Sequence, residues 1–158
     1  MPEAGRPSFP GVYGIREDDA GLLDWGWATE RLERARNYWI STASPDGRPH
    51  AMPVWGVWLD DVLYFSSAPD SRKARNLAAN PRIVVHLESG DQVVIVEGTA
   101  EPVTDEALLK RISEDYSAKY SFEVTFTVEG RGLVAVHPHL AYAWVEQDFQ
   151  ASATRFTF

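Results

Sequence analysis

The chain has 158 residues, of which 44% are hydrophobic and 24% charged, with a net charge of −8. That is enough for one globular domain with a sizeable core, and the acidic balance argues against nonspecific nucleic-acid or anionic-membrane binding. With no cysteine in the chain, disulfides, thiolate metal sites, iron–sulfur clusters and cysteine nucleophiles are excluded.

Residues 1–20 hold three of the ten prolines and two adjacent aspartates, which reads as an arm without its own core. Phe9, Val12, Tyr13 and Ile15 can dock it, and 21–158 is expected to form a single domain. The N-terminus has no apolar stretch for a signal peptide and no run approaches a membrane span, so a cytoplasmic protein is expected. From Trp25 to Arg36 the apolar Trp25, Ala28, Leu32 and Ala35 recur every three or four residues, as on one face of a helix. Glu30, Arg31, Glu33 and Arg34 on the other face read as a solvated charge mosaic. Tyr38 to Ala43 reads as a strand, followed by a Ser44-Pro45-Asp46-Gly47 turn. His50 to Leu59 is expected to be one long strand, apolar on both faces and buried on both sides. Within it Pro53 removes a ladder donor, and Gly56 marks either a bulge or the close approach of a flat ligand.

After an Asp60-Asp61 turn, Val62 to Ser66 is rich in β-branched and aromatic residues, and Ala68-Pro69-Asp70 breaks the strand. Asp70 or Ser71 can cap a helix that Asn80-Pro81 stops. Arg72, Lys73 and Arg75 crowd the start of that helix, where the macrodipole is already positive. Such crowding makes sense if an anion sits there, met by backbone donors, a hydroxyl and two cations; the alternative is a solvated basic turn. Ile83 to Glu88 and Gln92 to Glu101 read as strands, and Thr104 as the cap of a helix from Asp105 to about Ala118. Lys119 to Glu129 is either strand or loop. Leu133 to His137 and Ala141 to Val145 read as two strands separated by Pro138, and the aromatic tail is expected to pack. Six or seven strands with short turns imply an antiparallel β-barrel with peripheral helices, a mainly β (α+β) fold. The apolar surface around Trp55 and Trp58 implies a homodimer.

No hydrolytic motif, dinucleotide fingerprint or phosphate-binding P-loop is present. His137-Pro138-His139 has chelating spacing but lacks an acidic companion, so a strand-end turn is expected, and no metal. What remains is an anion site at Ser71-Arg72-Lys73 beside an aromatic-rich sheet, which suits a phosphate-bearing aromatic cofactor.

The segment from Asp46 to Val103, above all Ser71-Arg72-Lys73 before a helix ending Asn80-Pro81, resembles the pyridoxamine-phosphate-oxidase-like family of FMN-binding split β-barrels. The resemblance implies a split antiparallel barrel and a homodimer with two cofactors at its interface. It assigns the cofactor phosphate to Ser71, Arg72 and Lys73. Met52, Pro53, Val54 and Trp55 on the second strand, with Phe65, Ser66 and Ser67, are implied to lie along the ring. Gln92 is implied to reach the same cofactor from the partner subunit. The family's vitamin oxidases carry an Arg and a Lys where this chain has Met52 and Val57, and end in Arg-x-His where it has Arg155-Phe156-Thr157. Those departures, with the Ala153-Thr154-Arg155 tail, look more like the actinobacterial flavin/deazaflavin oxidoreductases, many of which use coenzyme F-420. The resemblance therefore implies hydride transfer between F-420 or FMN and a small organic substrate, with no catalytic acid or base assigned. The alternative is a carrier of flavin, deazaflavin or haem on the same fold.

Overall fold

A computed structural model describes all 158 residues. The N-terminal arm is woven into the domain rather than laid on it: β1 (Glu3–Gly5) pairs antiparallel with the last strand, β9 (Thr154–Thr157). Arg6 fastens the arm by donating to the carbonyls of Asp18, Ala20, Ala151 and Ala153. Of the expected docking residues, Phe9 stacks on Tyr142 and Phe149, whereas Val12 and Tyr13 stay exposed.

Helix α1 (Trp25–Arg34) is capped by Asp24, whose carboxylate accepts from the Trp27 amide, and it buries Trp25, Ala28 and Leu32. Strands β2 (Tyr38–Ala43), β3 (Pro49–Val54), β4 (Gly56–Leu59) and β5 (Val62–Ser66) follow. Asp60 and Asp61 both have positive φ, 51° and 60°, the conformation of a two-residue hairpin turn whose twist matches its strands. Helix α2 (Arg72–Ala79) leads to β6 (Arg82–His86) and the long β7 (Gln92–Pro102). Helix α3 (Glu106–Tyr120) is capped by Asp105 rather than Thr104 and runs two residues beyond its expected end. Residues 121–132 form no strand despite the alternation of EVTFTV; Ser113 and Ser117 of α3 hold their backbone through Phe126 and Val124, and Phe126 fills the space beneath. Strand β8 (Leu133–Val145) and the short α4 (Phe149–Ser152) precede β9.

The nine strands make one antiparallel sheet in the order β1-β9-β8-β7-β6-β2-β3, with β5 also joining β8 and β4 joining β5. The mainly β split-barrel expectation holds, with four helices against the sheet. Pro138 does not divide β8: the ladder to β7 continues through it and absorbs His139 in a bulge opposite Glu97-Gly98. A bulge is where a strand tolerates a proline. His137 and His139 therefore lie in mid-strand, one 2.8 Å from Glu101 and the other 2.6 Å from Thr99, and not in a strand-end turn.

The strand expected over His50–Leu59 is two strands. β3 pairs only with β2, and β4 only with β5, so the chain changes partners at Trp55. β3 is consequently an edge strand with alternating exposure, not a doubly buried one, and an edge is where Pro53 costs no ladder bond. The apolar residues beyond it are covered within the chain: Trp58 packs on Trp25 of α1, and Trp55 stacks on Tyr120 of α3. Those two tryptophans thus supply no argument for a dimer.

Candidate functional site

The site is built where α2 begins beside the edge strand β3. The Ser71 hydroxyl caps α2, accepting from the Ala74 amide at 3.2 Å, and lies 2.8 Å from the Ser67 hydroxyl. The Lys73 ammonium reaches back over β3 to within 3.7 Å of the Met52 sulfur. A thioether is a weak acceptor for a cation. Arg72 is exposed and lies toward the β2–β3 turn: the Ser44 hydroxyl, and more weakly Arg72, hold the Asp46 carboxyl below its ordinary range. Arg75 points back to the Asp70 carbonyl. None of the ion pairs in the chain includes Arg72, Lys73 or Arg75, and the first turn of α2 carries no acid. Beneath it, the buried Asn76 donates to Thr42 at 3.0 Å and ties α2 to β2.

The expected ring-facing residues divide between two faces. Directly paired residues of an antiparallel ladder share a face. Met52 is opposite Ile40 and Val54 opposite Tyr38, both core residues, so these two lie on the inner face, Met52 next to Lys73 of α2. Pro53, opposite Trp39, lies on the outer face. Phe65 is fully buried in the core, which leaves only its main chain for a ligand, while Ser66 and Ser67 are half-buried. The Trp55 indole is committed to Tyr120, with rings 4.4 Å apart and 5° from parallel, and Arg36 covers both.

Gln92 is not part of this cluster. It starts β7, which is separated from β3 by β6 and β2, roughly 14 Å across the sheet at the usual strand spacing. Its carbonyl oxygen accepts from the Arg31 Nε at 2.8 Å and Nη2 at 2.6 Å. Arg31 also lies 3.6 Å over the Trp27 ring. The helix face that reads as an indifferent charge mosaic thus includes one arginine that orients Gln92. No local pattern signals this, because the two residues are 61 positions apart.

The donor set fits a phosphate: two hydroxyls, an ammonium and a guanidinium that form no close ion pair, at the positive end of a helix dipole. A concavity of about 920 Å³ between α3 and residues 123–129 is lined by four glutamates, Glu106, Glu114, Glu123 and Glu129, against the single cation Lys110. Its field is wrong for an anion, so size does not locate the site here.

Comparison with known proteins bears on the fold. A conserved hypothetical protein from Mycobacterium tuberculosis is 24% identical, with 83% of this chain and 89% of that one covered and a TM-score of 0.70. A structure described as an F-420 reductase is 24% identical over 71% of this chain and 93% of its own, with a TM-score of 0.57. HutZ from Vibrio cholerae, described as a haem storage protein, is 17% identical over 74% and 90%, with a TM-score of 0.58. At these identities the likeness establishes the fold alone. A sequence comparison with curated proteins finds no match. The family model described as pyridoxamine 5'-phosphate oxidase matches residues 28–145. Because that span runs from within α1 to the end of β8, taking in seven of the nine strands and the Ser71 cluster, the chain belongs to the pyridoxamine 5'-phosphate oxidase family.

Proposed function

We propose that this protein is a cytoplasmic oxidoreductase that passes a hydride between bound coenzyme F-420, or FMN, and a small organic substrate. One observation carries the reading: Lys73 and Arg72 form no close ion pair and stand beside the Ser67 and Ser71 hydroxyls at the start of α2, with Asp46 the acid that Arg72 acts on. Ser71, Arg72 and Lys73 would hold the cofactor phosphate, and β3 with the Ser66-Ser67 segment would flank the ring. The cofactor would supply the hydride chemistry. The protein's part is to bind and orient: Lys73 exchanges its weak thioether contact for a charge-assisted bond to phosphate, and the rigid Asn76–Thr42 tie holds the helix against the sheet.

The same reading takes the active form to be a homodimer. Register places Pro53, Trp39, His86, Ile95 and Tyr142 side by side in one row across the outer face of five strands. The row is largely apolar and, apart from the exposed Pro53, half-covered in the single chain. A partner on this face would bring a second Gln92 toward the β3 edge.

A carrier of the same cofactor, or of haem, is the second reading, favoured by the description of HutZ as a haem storage protein. The absorption spectrum of the purified protein titrated with FMN, with F-420 and with haem decides what is bound. Turnover of reduced cofactor with candidate acceptors then separates enzyme from carrier. Saturable binding of haem alone would reject the oxidoreductase.

A further inference from the structure

Lys119, in the last turn of α3, is half-buried and has no acidic partner. Its ammonium donates to the Tyr38 hydroxyl at 2.8 Å and to the Gly56 carbonyl at 2.9 Å. It also faces the rings of Tyr38 and Tyr120, at 4.8 and 5.3 Å from their centroids. The Tyr38 hydroxyl in turn donates to the Leu32 carbonyl at 2.6 Å, near the end of α1. Tyr120 completes the clasp: its hydroxyl accepts from the Gly56 amide at 2.9 Å and lies 2.7 Å from the Arg36 carbonyl. Both backbone groups of Gly56 are therefore met by side chains of α3. These contacts converge on the point where the chain leaves β2 as a partner and takes β5. A methyl group could be added there only by displacing its neighbours, since a Cβ on Gly56 would lie 2.8 Å from the Tyr64 carbonyl and 2.9 Å from the Leu63 Cδ1.

We propose that Lys119 is a positioning residue for the cofactor groove: with Tyr38 and Tyr120 it pins the Trp55–Gly56 strand switch, and so fixes the Trp55 indole and the course of β3. A lysine stem is worth burying in this aromatic pocket only for what its amine holds, because an ammonium removed from water without a carboxylate is costly. Burial lowers its pKa, which is the expected mark of that cost. Methionine would fill the same volume without it, yet would leave the Tyr38 hydroxyl without this donor and the Gly56 carbonyl with only the Tyr120 hydroxyl, 2.9 Å away and shared with the Arg36 carbonyl, among its side-chain donors. The inference rests on the reading of β3 as the wall of the cofactor site, and it concerns a residue 46 positions from Lys73 in the chain.

The test compares wild type with Lys119→Met, with Lys110→Ala on the exposed side of α3 as control. Two readouts are taken on the intact protein: acrylamide quenching of Trp55, isolated by difference from Trp55→Phe, and titration with FMN and F-420. Lys119→Met is expected to fold, to expose Trp55 to quencher, and to bind cofactor at least fivefold more weakly. Because the chain has no cysteine, Lys119→Cys alkylated in urea with bromoethylamine and refolded restores an amine of nearly the same length. That product is expected to recover both signals, whereas alkylation with iodoacetamide is not. Wild-type quenching and affinity in Lys119→Met would overturn the proposal. If wild type binds neither cofactor, the functional reading fails, and the quenching comparison alone decides whether Lys119 positions Trp55.

Discussion

At the scale of single residues, the site turns on Lys73, whose present partner is the Met52 sulfur at 3.7 Å. A contact to a charged phosphate is worth about 1.5–3 kcal/mol, roughly tenfold to a hundredfold in affinity. Lys73→Ala is expected to weaken FMN or F-420 binding by that factor while leaving thermal stability unchanged, with Lys110→Ala as control; equal dissociation constants would return the cluster to a solvated basic turn. Met52 and Val57 argue against vitamin chemistry for a structural reason as well as by pattern. Val57 is buried in the cluster around α3, and Met52 lies beneath Lys73, so neither offers a cation to a substrate phosphate. Pyridoxine phosphate is expected not to be oxidised, which an oxygen-electrode assay with pyridoxal phosphate detection checks. Gly56→Ala should cost about 1–3 kcal/mol, the usual cost of overpacking, read as a lower urea midpoint at constant slope.

Among the elements, the C-terminal turn of α3 sets the behaviour at alkaline pH. Burial pulls the Lys119 ammonium down to about 8 and pushes the Tyr120 phenol up to about 12; the Tyr38 phenol beside them is raised further by burial. The other charges facing the clasp are Arg36, over Tyr120, and Glu33, which acts on Tyr38. Between about pH 8 and 10 the unfolded chain keeps a lysine proton that the folded chain has lost, so stability rises with pH. Above about 10 the folded chain keeps phenolic protons that the unfolded chain has lost, and stability falls. The thermal midpoint should therefore climb from pH 8 to about 10 and then decline, and Lys119→Met should flatten the climb while leaving the decline. A wild-type midpoint that falls steadily from pH 8 would contradict this assignment.

For the whole molecule, the decisive surface is the outer row of Pro53, Trp39, His86, Ile95 and Tyr142. Trp39 and His86 already stack within it, 1° from parallel. Light scattering at micromolar concentration is expected to give twice the monomer mass. Ile95→Glu, which puts a charge within the row beside its central His86, should shift the protein to monomer and weaken cofactor binding together. A wild-type monomer with full cofactor affinity would show the site to be complete in one chain. No helix is long and apolar enough to cross a membrane.

Local chemistry in the sequence determined much of this protein. The Ser71 cap, the Asn80-Pro81 stop, the Asp60-Asp61 turn and the periodicity of α1 are each decided within about four residues, because caps, turns and amphipathic faces depend on neighbours in the chain. The proposed anion site was legible for the same reason: its hydroxyl and cations lie on one helical turn. Tertiary structure alone decided which partner each half of His50–Leu59 would take, since alternating apolar residues fit either ladder; the bonds from α3 to Gly56 lie at the point of the switch. It also decided that Pro138 could sit inside β8, that Arg31 would meet Gln92, and that Lys119 would be drawn into an aromatic pocket. Each of these depends on side chains brought together from distant parts of the chain, and nothing in a residue's own neighbourhood encodes which distant group will satisfy its hydrogen bonds.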